Sequence, residues 1–84
     1  MKALRWSQEK NLVLKKERGV SFDDIIAGKF LGIEKNPSRP NQWLIVFEVK
    51  NYVWVVPYVE ADDHYFLKTA FPSRKHTKIY LKGT

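Results

Sequence analysis

The stretch that most constrains this chain is "WLIVFEVKNYVWVVPYVE", residues 43–60. Two runs dense in β-branched and aromatic residues flank the dipeptide Lys50-Asn51. Such residues suit a pleated, half-buried surface, and a two-residue gap is the spacing of a tight turn. The stretch predicts a β-hairpin, so any fold has to be built around an antiparallel pair. Pro57 has no N–H for a ladder, which predicts an edge position or a bulge there. "ADD" at 61–63 reads as a second turn, and "HYFLKTAF" as a third strand of the same meander. A further strand fits residues 30–33. It precedes "KNPSRPNQ", residues 35–42, whose prolines and asparagines mark a loop.

Helix signals precede the strands. In "RWSQEKNLVLKKERG", residues 5–19, Ser7 is placed to cap and Glu9 sits in the first turn. Lys15, Lys16 and Arg18 fill the last turn, and Gly19 suits the stop. In "GVSFDDIIAGKF", Ser21 and Asp24 fit a capping box, with Val20 and Ile25 as its hydrophobic staple. This second helix is expected over residues 22–27, closed by Gly28. The fold class expected is α+β: two N-terminal helices on one face of a three- to four-stranded antiparallel sheet, then a short basic C-terminal segment, helical in outline. Eighty-four residues make a single domain, 1–84. With no cysteine there is neither a disulfide nor a Cys-based zinc site, and two histidines give no metal-ligand cluster. No run approaches the roughly 20 apolar residues of a membrane helix, and no apolar signal segment opens the chain. A soluble, cytoplasmic protein is expected, with no cofactor and no membrane partner.

The charge is segregated as well as positive. The formal net charge is +6. Residues 1–19 hold six Lys/Arg and two acids, residues 20–63 hold four and seven, and residues 64–84 hold five and none. If the two basic ends meet, they form a face suited to nucleic acid or another polyphosphate. The bland alternative is an ordinary solvated surface.

Few catalytic chemistries survive. The four glycines are too dispersed for a phosphate loop, and Asp62-Asp63 sits where turn residues belong. What remains is a basic and aromatic set: His64, Tyr65, Lys68, Arg74, Lys75, His76, Lys78 and Tyr80. Strand alternation puts His64, Phe66, Lys68 and Ala70 on one face, and Tyr65, Leu67, Thr69 and Phe71 on the other. A helical tail would put Arg74 and Lys78 on one side, with Lys75 and Lys82 near it. Such a set binds a nucleic-acid backbone, and it can also cleave RNA without a metal. Cleavage needs a base for the 2′-hydroxyl, cations for the phosphoryl oxygens and an acid for the 5′-oxygen. The catalytic candidates are therefore Arg74, Lys75, His64, His76 and Tyr65, Arg74 first because its planar fork matches phosphate. Lys68, Lys78, Lys10 and Lys16 are the RNA-binding candidates. Each has an ordinary alternative: His64 as a turn residue beside two aspartates, His76 as an exposed side chain, Tyr65 as core. The aromatic stripe Trp43, Phe47, Tyr52, Trp54 and Tyr58 reads as hairpin packing before it reads as a base-stacking platform.

In order along the chain, "LRWSQEKNLVLKKERGVSFDDI", the strand meander and "LKTAFPSRKHTKIY" resemble the BrnT-type ribonuclease toxins, within the wider RelE/ParE-like group of type II toxin–antitoxin systems. Trp6, Glu9, Lys10 and Asn11 match the opening motif, and Ser73, Arg74 and Lys75 the closing one. The chain departs from the pattern in "HTKIYLK" and in its long, proline-rich loop at 35–42. The resemblance implies a translation-inhibiting ribonuclease acting on RNA, with or without the ribosome. It also implies a cognate DNA-binding antitoxin. The reading from another class is a non-catalytic basic nucleic-acid-binding or adaptor domain. A weaker third is a protein-interaction module presenting the aromatic hairpin.

Overall fold

The computed structural model describes residues 2–81. The elements run β1 (Ala3–Trp6), α1 (Gln8–Arg18), α2 (Phe22–Ile26), β2 (Lys29–Lys35), β3 (Trp43–Val49), β4 (Tyr52–Glu60), β5 (His64–Leu67), β6 (Phe71–Pro72) and α3 (Arg74–Leu81). The class is α+β, but strands dominate, and the chain opens on a strand rather than a helix. The sheet has six strands in the order β1-β5-β4-β3-β2, with β6 pairing β4. It is mixed rather than purely antiparallel, because β1 lies parallel to β5. Among the described residues no helix is long and apolar enough to cross a membrane.

The hairpin forms as its residues dictate. Val49 pairs with Tyr52, and both intervening residues take positive φ, 53° at Lys50 and 65° at Asn51. Positive φ at both central positions is the type I′ turn that matches strand twist. Pro57 sits at a local edge, as expected: β3 pairs with β4 through it on one side, while on the other β5 pairs only from Tyr58 onward and β6 only as far as Val55. Counting from the turn, Leu44 and Pro57 form a non-hydrogen-bonded pair, so the missing N–H points away from β3. Toward β5, Pro57 accepts from Lys68 N at 2.8 Å but has nothing to return. The ladder stops there, so the expected third strand over 64–71 is broken. The chain leaves the sheet after Leu67 and rejoins β4 only as β6, opposite Trp54 and Val55. A shift of register lies in β2, between Phe30 and Gly32.

The caps work as their residues suggest. Ser7 Oγ accepts from Lys10 N, and Gly19 closes α1 at φ 78°. Both arms of the Ser21–Asp24 box are made. Buried Asn11 joins the two helices, accepting from Phe22 N at 2.7 Å and donating to Asp23. Gly28 serves packing rather than a left-handed stop, since a Cβ there would collide with the carbonyl oxygen of Glu48 on β3.

Alternation gives the sheet two covered faces. Ile45, Phe47, Trp54, Val56, Tyr58 and Leu67 pack under α1 and α2 with Leu14, Phe22 and Ile25. Val46, Val53 and Val55 point the other way and are fully buried. On that face lies α3. The Tyr80 hydroxyl stands 3.5 Å from where a Cβ of Gly32 would be, and Thr77 Oγ1 accepts from Val53 N at 2.9 Å. Helices therefore cover both faces, not one.

Candidate functional site

Beneath α3 lies a groove of about 750 Å³. Lys75, His76 and Ile79 of α3 form one wall, and Asn36, Arg39 and Gln42 of the β2–β3 loop form another. Glu34, Leu44 and Pro57 supply the sheet floor, and Lys68, Thr69 and Phe71 the segment between β5 and β6. The break at Pro57 makes this opening, because a continuous strand over 64–71 would keep Lys68 and Thr69 in the sheet. Three cations, Arg39, Lys68 and Lys75, border the groove, and none makes an ion pair among the described residues. Lys68 Nζ lies 5.7 Å from the Phe66 ring centre.

His76 stands at the centre of a bonded chain. Ser73 Oγ accepts from His76 N at 3.1 Å, the capping bond of α3, and lies 2.7 Å from His76 Nδ1. His76 Nε2 lies 3.1 Å from Glu34 Oε1, and Tyr80 O–H donates to Glu34 Oε2 at 2.6 Å. One assignment satisfies every atom: Ser73 donates to Nδ1, and Nε2–H donates to the carboxylate. Burial opposes the charge on Glu34, but the bonds from Tyr80 and His76, with the electrostatic effect of His76 and the nearby Lys75, outweigh it and lower its pKa. The same carboxylate, with partial burial, pushes the Tyr80 phenol up to about 12. Glu34 is the groove's one acidic side chain among the described residues, and it is already engaged.

The expected site residues divide. Lys68, Lys75 and His76 meet in the groove. Arg74 and Lys78 are exposed on α3 and do not line it. His64 shares the groove's side of the sheet but sits at the far end of β5, bonded to Asp63 at 2.8 Å. That contact lowers the pKa of Asp63. Tyr65 faces the opposite side, stacked on Tyr58 at 4.4 Å and packed against the core. Burial first, then Tyr65, pushes the Tyr58 phenol up to about 12. Lys10 and Lys16 belong to α1, across the sheet, so they do not extend this basic face. Ala70 leaves its expected row for the core, because residues 68–70 are not strand. Lys82 lies outside the described residues. Of the aromatic stripe, Phe47, Trp54 and Tyr58 are core, while Trp43 and Tyr52 are exposed. Arg39 and Glu34 are the site residues that sequence reasoning missed. Arg39 carries a weak signal, a cation between two prolines in an overlong loop. Glu34 carries none, since its partners lie 42 and 46 residues away.

No protein-family model and no curated protein sequence matches the chain. Among solved structures, the ribonuclease toxin BrnT of Brucella abortus is similar, with a TM-score of 0.57 at 10% identity. The match covers 87% of this chain and 97% of that one. At this identity the likeness is one of fold, so the chain has a BrnT-like α+β fold whose groove is read from its own residues.

Proposed function

We propose that the protein is a ribonuclease toxin and that the groove under α3 is its site. One observation carries the reading: three free cations surround a histidine held on a carboxylate, in a fold shared with a ribonuclease toxin. Arg39, Lys68 and Lys75 would bind phosphate oxygens and take up charge in the transition state. The 2′-oxygen would bond to phosphorus as the bond to the 5′-oxygen breaks, the departing 5′-oxygen taking its proton from water. His76 is the acid–base group, and Glu34 fixes its tautomer. To take the 2′-hydroxyl proton, His76 must exchange Ser73 for substrate at Nδ1. No metal enters this scheme. The site of action is the cytoplasm, and the partner is a cognate antitoxin, in keeping with the neighbouring fold.

The engaged His76 ring favours a second reading, a basic domain that binds RNA without cutting it. RNA incubated with pure protein in EDTA separates the two. Fragments ending in 2′,3′-cyclic phosphate, lost in Lys75→Ala and His76→Ala, support the enzyme. A salt-dependent gel shift with intact RNA removes it. Controlled expression adds a second check: growth arrest is expected from the wild type and from Arg74→Ala, and not from Lys75→Ala.

A further inference from the structure

The groove is not lined by cations alone. Leu44 and Pro57 on the floor, Phe71 on one side and Ile79 on the other give it an apolar surface between the charges. Ile79 is 51% exposed, so its apolar surface is open to a ligand in the groove. A duplex offers its phosphates outward and keeps its base faces stacked, so it would leave that surface unused. An unpaired nucleotide offers both, a charged backbone and a flat apolar base. The volume of about 750 Å³ suits a ligand of that size.

The loop wall adds a reading edge. Asn36 N donates to Gln42 O at 3.2 Å, which fixes the loop base, and Asn36 Oδ1 is used by Ser38 N at 2.9 Å. Asn36 Nδ2 makes a long bond of 3.5 Å to Gln42 Oε1. The Gln42 amide hydrogens have no acceptor among the described residues. An amide of this kind, held at a groove wall, can hydrogen-bond a base edge.

We infer that the groove seats one unpaired nucleotide, its base on the Leu44, Pro57, Phe71 and Ile79 surface and its edge read by Gln42. The inference builds on the ribonuclease reading by naming what that site recognises. Gln42 is then a specificity-determining residue and not a catalytic one.

The test uses fluorescein-labelled 2′-O-methyl hexanucleotides of A, C or U, which cannot be cleaved through the 2′-oxygen. Each is titrated unpaired and annealed to its complement. Unpaired strands are expected to bind about tenfold or more tightly than duplex, with unequal affinity among the three bases. Ile79→Ser, which removes the exposed apolar side chain without adding a charge, is expected to weaken unpaired binding by about tenfold. Gln42→Glu and Gln42→Leu are expected to change the ratios among bases, whatever they do to overall affinity. Equal binding of strand and duplex overturns the inference, and so do ratios that neither variant changes. Unmethylated strands separate this from the ribonuclease reading. Base-selective binding without cleavage sinks the enzyme and keeps the nucleotide site. Cleavage blind to base and to Gln42 does the reverse, and no binding of any strand sinks both.

Discussion

Thr77 holds the wall that carries Lys75 and His76, and its removal has a calculable cost. It is 7% exposed, and its hydroxyl accepts from Val53 N at 2.9 Å and donates to Ser73 O at 2.7 Å. Val53 N makes no other hydrogen bond among the described residues: Val53 forms a non-hydrogen-bonded pair with Glu48, and toward β6 it is its carbonyl that is used, accepting from Ser73 N at 2.9 Å. Ser73 O keeps Thr77 N when the hydroxyl is gone. In Thr77→Val, shape and helix propensity barely change, so the loss is that of one buried N–H without a partner, about 2 kcal/mol. In Thr77→Ser the hydroxyl stays and one methyl goes, about 1 kcal/mol. At about 4–8 °C per kcal/mol in a domain this small, valine lowers Tm by roughly 8–16 °C and serine by about half as much. Urea unfolding followed by circular dichroism measures both, with unchanged m expected. If valine is no worse than serine, the hydroxyl is not what holds α3 to β4.

Four further outcomes are expected. Gly28→Ala forces β3 and the α2–β2 connection apart and destabilises by about 1–3 kcal/mol, read in the same urea unfolding. Replacing Lys50-Asn51 by Asn-Gly relieves the left-handed strain at the turn and adds about 0.5–1 kcal/mol. The bond from Lys15, aided by Ser21 N, lowers the Asp24 pKa to about 2, so its stabilising effect is full above about 3.8 and is lost as pH falls through about 2. Carboxyl NMR titration should show that midpoint, and Lys15→Met should move it upward. The Tyr80 phenol titrates near 12, so its bond to Glu34 is intact below pH 10 and is lost as pH rises through 12. Ultraviolet titration of Tyr80→Phe should lose one of the late-ionising tyrosines.

What was readable in the sequence was local. The Lys50-Asn51 turn, the Ser7 cap and the Ser21–Asp24 box each depend on neighbours within a few residues. The sheet edge was not local. Residues 3–6 look like the approach to a helix, and only β5, some sixty residues on, makes them a strand, with Leu4 and Trp6 turned to the core. Pro57 is readable as a place where a ladder ends, and β4 is an edge there, between its pairing with β6 up to Val55 and with β5 from Tyr58. Here the end of that ladder opens the groove.

The site was readable as an inventory and not as a geometry, and α3 shows why. Arg74, Lys75 and His76 are neighbours in sequence, but each helical residue turns about 100° from the last. Thr77 and Tyr80 meet the sheet, which leaves Lys75, His76 and Ile79 facing the groove. Arg74 and Lys78, four apart, then share a stripe that faces away. The pairing that made Arg74 and Lys78 look like one phosphate site is the pairing that removes both from it. The guanidinium at the groove comes instead from Arg39, in the loop that departs from the toxin pattern. If the groove is the site, cleavage depends on Arg39 and Lys75 together and tolerates the loss of Arg74. Comparing Arg39→Ala with Arg74→Ala is then a test of the groove's location that needs no knowledge of its base.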